Sequence, residues 1–159
     1  MEQQQLFITM VLNTWNLHIS RTEKFFFDQP DEILLKPIAP GKNRPVYLLG
    51  HLVAVHDMMA EIMGIGGRKY QHLDNDFIKN PDGSAVDQYS LDILKQNWKE
   101  VHQKLAELFG TLQPEDWFKR HNSVSEEDFA KDPTRNRLNL VINRTTHVAY
   151  HLGQLKLVG

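Results

Sequence analysis

His147 and His151 stand four residues apart in a stretch, Leu138 to Val158, whose only charged residues are Arg144 and Lys156. On a helix advancing about 100° per residue, the two imidazoles lie about 40° apart on one face, one turn from each other. Gln154 falls within about 20° of His147, and Asn143 extends the same polar seam one turn earlier. Leu138, Val141, Ile142, Val148, Ala149, Leu152 and Leu155 occupy the remaining surface of this helix. Burying imidazoles and amides without partners costs about 1–3 kcal/mol each, so the seam needs a reason. Two readings fit it. Histidines at i and i+4 can both reach one metal ion. They can equally be core histidines hydrogen-bonded to neighbouring helices. With eight histidines in the chain, chance alone supplies roughly 0.4 such pairs, so spacing does not decide between the two.

A third ligand has to come from elsewhere, and His51 is the best candidate. It interrupts an otherwise apolar run, Tyr47-Leu48-Leu49-Gly50-His51-Leu52-Val53-Ala54-Val55. His56 is the competitor, but it sits about 140° away around the same helix, so both cannot face one ion. His56-Asp57 reads as the solvated edge of that helix. His18 and His102 read as isolated on amphipathic helices, while His72 and His121 fall in polar connections. Gln154 cannot take a proton and reads either as an orienter of a ligand or water, or as a packing amide between helices. Trp15, Tyr47, Met58 and Tyr150 are candidates for a pocket wall, or for core at helical spacing.

Four segments carry the helical period that would position these residues. The first runs from about Gln3 to Phe27 and stops at Asp28-Gln29-Pro30. The second starts at Pro45, which has no amide hydrogen to leave unpaired in a first turn, and runs to Ile62. Gly64 or Gly66-Gly67 closes it. Residues 68–89 form a long polar connection holding the turn signal Asn80-Pro81-Asp82-Gly83. Ser90 is the expected N-cap of a third helix reaching Gly110. Thr111 to Lys131 is mixed in character, and Asp132-Pro133 reads as the start of the last helix. Four long helices without a period-2 strand predict an all-α four-helix bundle, with residues 1–159 as a single domain.

Composition narrows the function. Lys+Arg 18 against Asp+Glu 20 gives a net charge of −2, far from the basic excess that draws a protein onto nucleic acid. The chain has no cysteine, which removes disulfides, thiolate metal ligands and cysteine nucleophiles together. Any metal site must use His, Asp, Glu or carbonyl oxygen. Glu2 stands where a signal peptide would carry positive charge, and the longest uncharged apolar stretch, Pro45 to Val55, is too short to span a bilayer. The expectation is a soluble cytoplasmic protein with neither a nucleic-acid nor a membrane partner. Gly64-Ile65-Gly66-Gly67 lacks the lysine and Ser/Thr of a phosphate-binding loop, and Asp74-Asn75-Asp76 lacks the glycine and glutamate of a calcium loop.

Pro45-Val46-Tyr47-Leu48-Leu49-Gly50-His51-Leu52 and Asn143-Arg144-Thr145-Thr146-His147-Val148-Ala149-Tyr150-His151-Leu152-Gly153-Gln154 resemble the DinB/YfiT-like metalloenzyme superfamily. Leu152 between His151 and Gly153-Gln154 agrees with the family's His-x-Gly-Gln ending. The resemblance implies an up-down-down-up bundle with long crossover connections. It also implies one divalent metal, zinc or nickel, held by His51 from the second helix and by His147 and His151 from the fourth. An open position would hold water, which zinc could bring to a pKa of about 7. Relatives in that superfamily include low-molecular-weight-thiol S-transferases and a thiol-dependent isomerase. The expected function is therefore thiol S-transfer or hydrolysis on a small-molecule substrate, with a low-molecular-weight thiol as partner and a homodimer as the assembly. The alternative is a non-catalytic metal- or ligand-binding bundle.

Overall fold

In the computed structural model, which describes residues 3–158, helices form where the apolar spacing places them. Met1 and Glu2, where the absence of a leader is read, lie outside the described residues. The four long helices are α1 (Gln3–Asp28), α3 (Pro45–Ile62), α4 (Leu91–Thr111) and α6 (Arg137–Leu155). Two short ones, α2 (Asp31–Leu34) and α5 (Glu126–Lys131), lie in the connections. No strand occurs among the described residues; an isolated antiparallel bridge joins Arg120 to Asn136. Among the described residues no helix is long and apolar enough to cross a membrane.

α3 is the most deeply enclosed helix, with almost every residue from Pro45 to Ala60 buried. Pro45 opens it, and Gly64 at φ +68° turns the chain away just beyond its end, a conformation that side chains resist. α3 packs on α4 and touches α6, while α1 packs along α6. Between them lies a core of Trp98, Phe26, Phe77, Leu34, Leu49, Leu52 and Met59, each essentially without exposure. Trp98 Nε1 donates to Glu23 Oε2 at 3.0 Å, tying α4 to α1 through a hydrogen bond to a charged group.

The polar connection 68–89, which carries no helical period in the sequence, folds into short turns. Short helical turns form at Gln71–Leu73, Asn75–Lys79 and Ser84–Gln88, the middle one a π turn. Charged side chains hold both ends. The Arg68 guanidinium is bidentate to Asp74 (2.7 and 2.5 Å) and lies 3.4 Å from Asp57, whose carboxylate also accepts the amides of Lys69 and Tyr70. Arg44 pairs with Asp82 and Asp87 at the other end. The π turn then lays the Phe77 ring against Gly50. A Cβ built there would meet the ring at 2.2 Å, so glycine is what admits this close approach beside His51.

Three expectations change here. The last helix begins at Arg137, not at Asp132-Pro133. Asp132 instead binds the amide and hydroxyl of Thr134 in a local turn, and Asn136 caps the helix by accepting from the Asn139 amide at 3.0 Å. Thr111–Lys131 resolves into a short turn at Pro114–Phe118 and then α5. His56 and Asp57 are not a solvated edge: they are 0% and 3% exposed. A helix enclosed on all sides has no solvated edge, so α3 buries them and gives each a polar partner.

Candidate metal centre

His51 projects from α3, and His147 and His151 from α6. One ring nitrogen from each lies within 4.8 Å of the other two. His147 Nε2 is 3.2 Å from His51 Nε2 and 3.1 Å from His151 Nε2. All three residues are half-buried, so the cluster keeps contact with solvent.

The outer nitrogens decide what the inner ones can do. His51 Nδ1 lies 2.7 Å from the Phe77 carbonyl, which can only accept, so Nδ1 carries the hydrogen. His151 Nδ1 lies 2.7 Å from Gln154 Oε1, and the Gln154 amide nitrogen donates onward to the Tyr150 hydroxyl at 3.2 Å. Both arrangements leave Nε2 as a lone pair directed inward, the tautomer that a metal ligand needs. His147 Nε2 can carry at most one hydrogen to serve two such lone pairs. Its own Nδ1 is buried without a partner among the described residues. Three electron-pair donors converging with at most one proton between them is a donor set that a divalent cation satisfies. The residues present therefore fit a metal ion.

Electrostatics keeps the lone pairs free. Burial, then the neighbouring charges of His151, His51 and Arg144, pushes the His147 imidazole down to about 4. Burial also lowers His51 and His151. All three rings are thus neutral at pH 7, and a cation meets little competition from protons.

Around the cluster, Tyr47 lies nearly parallel to His51 (ring centroids 6.2 Å apart, 12° between planes), and Tyr150 meets the His151 ring edge-on at 5.2 Å. Tyr150 is exposed and Tyr47 buried. Met58 is half-buried, whereas Asn143 is exposed and does not extend the seam inward. Trp15 is core, and its ring lies 4.9 Å from that of His56. There it joins a second histidine pair that spacing had not suggested. His56 Nδ1 lies 2.9 Å from His102 Nε2, and His102 Nδ1 lies 2.7 Å from the Trp98 carbonyl. His102 is therefore not isolated. The carbonyl fixes its hydrogen on Nδ1, so His56 must be the donor between the two rings. Burial pushes His102 down to about 4 and His56 well below its ordinary value. His18, His72 and His121 lie outside the three-histidine group.

Gln154 is the site residue whose role geometry makes most specific. Gln154→Leu removes the acceptor of the His151 Nδ1 hydrogen while keeping a side chain of similar size. We expect zinc affinity to fall about 10- to 100-fold, with the melting temperature of the metal-free protein little changed. Competition titration against a chromophoric chelator measures it; an unchanged affinity would mean that the amide only packs.

No curated protein matches the chain. A family model described as the DinB superfamily matches residues 14–155, a span that takes in His51, His147, His151 and the helices carrying them. A match of that extent, over the residues that the resemblance rested on, establishes that the chain belongs to the DinB superfamily.

Proposed function

We propose that this chain is a divalent-metal-dependent enzyme acting on a small molecule by thiol S-transfer or hydrolysis, with zinc or nickel held by His51, His147 and His151. The observation that carries the proposal is the convergence of three imidazoles, two of them fixed in the tautomer that points Nε2 inward. Among the described residues the group contains three ligands and no more, the number that leaves a coordination position for water or substrate and separates catalytic from closed structural sites. This favours the enzyme over a non-catalytic metal- or ligand-binding bundle. A bound divalent ion supplies Lewis acidity, lowering the proton affinity of a thiol or water that it holds.

The chain's own residues position that chemistry. The Phe77 carbonyl and Gln154 Oε1 hold two of the rings in register. Tyr47 walls the His51 side, and Gln154 borders a cavity of about 280 Å³ also lined by Ile38, Lys42, Leu48 and Leu157. No Asp or Glu hydrogen-bonds to the three rings among the described residues, so a proton released from thiol or water has no carboxylate base beside them. A thiol, whose pKa is already nearer neutrality, suits such a site better than water does.

The same proposal takes the four long helices as one up-down-down-up bundle and a single cytoplasmic domain. A second copy of the chain is the assembly partner. Phe7, Met10 and Ile142 are exposed along one hollow between α1 and α6, an apolar surface that a second copy would cover; light scattering reads the mass.

Elemental analysis of the purified protein tests the metal, with about one zinc or nickel per chain expected. Loss of free thiol in the presence of an electrophile such as 1-chloro-2,4-dinitrobenzene, abolished by a chelator and restored by the metal, tests the reaction. A protein that binds the metal but consumes no thiol and hydrolyses nothing would fit the non-catalytic reading instead.

A further inference from the structure

Arg144 lies three residues before His147 and seven before His151 on α6, so it sits about 60° and about 20° from them around the helix. It is on the metal-binding stripe. It is half-buried, and its Nε is shielded from solvent with no hydrogen-bond partner among the described residues. No ion pair to it occurs among the described residues either. Its charge reaches His51, His56 and His147.

The other enclosed guanidiniums of this chain have a carboxylate at hand; even Arg137, whose Nε is likewise unpartnered and which donates to the Asp116 carbonyl, acts by its charge on the Asp116 carboxylate. Arg68 has Asp57 and Asp74, and Arg44 has Asp82 and Asp87. Burying a cation without an anion is costly, and this fold supplies at least one carboxylate near each of these three arginines. Arg144 receives none. No Asp or Glu is among the charged groups acting on it or on the three site histidines. A divalent ion held by neutral imidazoles would add two further positive charges to the same half-buried place. The balancing negative charge then has to arrive with the ligand.

We propose that Arg144 is a substrate-binding residue that receives a carboxylate of the small molecule whose reactive atom occupies the open position of the three-histidine site. The planar fork of the guanidinium matches a carboxylate by two parallel hydrogen bonds, which a lysine ammonium cannot imitate. The substrate class is thereby narrowed to small acids, with thiol acids the simplest form that engages both groups. This inference rests on the metal reading for the position of the reactive atom, but not for the carboxylate pocket itself.

The probes are mercaptoacetate and 3-mercaptopropionate, compared with the uncharged 2-mercaptoethanol, in zinc-loaded protein by calorimetric titration. Wild-type protein is expected to bind the two acids at least about tenfold tighter than 2-mercaptoethanol, the scale of a charge-assisted hydrogen-bonded pair. Arg144→Met should keep its zinc and lose that preference, and Arg144→Lys should retain part of it. Absence of the preference in wild-type protein overturns the proposal, whether or not the variants fold. So does a preference that persists unchanged in Arg144→Met. Protein that takes up no zinc refutes the metal reading separately, and the comparison is then made on metal-free protein. There, a rise in melting temperature with mercaptoacetate that Arg144→Met abolishes supports the carboxylate site, and equal responses of the two proteins overturn it.

Discussion

His147→Ala is expected to strip the divalent ion from the protein, lowering affinity by at least about 100-fold, the upper range for removing even an outer-sphere partner of a ligand. His147 Nε2 is the nitrogen that both other rings approach, at 3.2 and 3.1 Å, so its loss leaves two lone pairs on opposite helices with nothing between them. His51→Ala and His151→Ala should act in the same direction. Each also frees an acceptor, the Phe77 carbonyl in one case and Gln154 Oε1 in the other. The metal-free fold should tolerate the change at His147, because that ring is half-buried and its Nδ1 has no partner to lose. Elemental analysis by mass spectrometry beside a thermal melt reads both quantities. Zinc retained at one per chain in all three variants would remove the assignment of these ligands.

At His56 the expected pattern is the reverse. His56→Ala should leave the metal stoichiometry untouched and lower the melting temperature by roughly 10 °C. The substitution empties the space of a fully buried ring and takes the donor from His102 Nε2. Together these cost about 2–4 kcal/mol, and each kcal/mol moves the midpoint of a chain this size by about 2–4 °C. The pair also makes the fold sensitive to acid. His102 is held at about 4 in the folded chain against an ordinary 6.5, so the unfolded state binds the proton first. Its share of stability is intact above pH 6.5 and is lost as pH falls towards 4, about 1.4 kcal/mol per unit and roughly 3 kcal/mol in all. Denaturant unfolding of the wild type between pH 7 and 4 measures the decline. A midpoint independent of pH across that window would mean that the pair is not held neutral.

What could be read from the sequence is what repeats locally. The bounds of α1 and α3 are legible because apolar spacing runs along each helix and the signals that end them, such as Pro45 and Gly64 for α3, act within a turn or two of the boundary they mark. The grouping of the three histidines is legible for a similar reason: His147 and His151 share one helix face, and His51 is the odd polar residue in an apolar run, while spacing alone leaves metal ligands and core histidines both open. What escaped depends on partners distant in sequence. His56 meets His102 across 46 positions, and nothing near either residue announces it. The carbonyl that orients His51 belongs to a π turn in a connection without period. Arg144 was visible only as one of two charges on a largely apolar helix; that it lacks a counter-charge is a fact about its surroundings. At the start of α6, Asp132-Pro133 has the composition of a helix beginning, but Asn136 has the geometry of one.

The Phe77 carbonyl links two parts of the molecule that would otherwise be independent. The hydrogen on His51 Nδ1 goes to the connection 68–89 and not to its own helix, so a metal ion bound to His51 would share a hydrogen bond with the folded state of that connection. Thermodynamic reciprocity then applies. An ion that prefers the Nδ1-protonated tautomer of His51 holds the connection closed, and anything that frees the connection weakens the ion by the same free energy. Gly50, by admitting the Phe77 ring, sets how tightly the two are geared. An ion bound at the three histidines would therefore make the connection harder to cleave, and limited proteolysis with and without zinc reads that coupling.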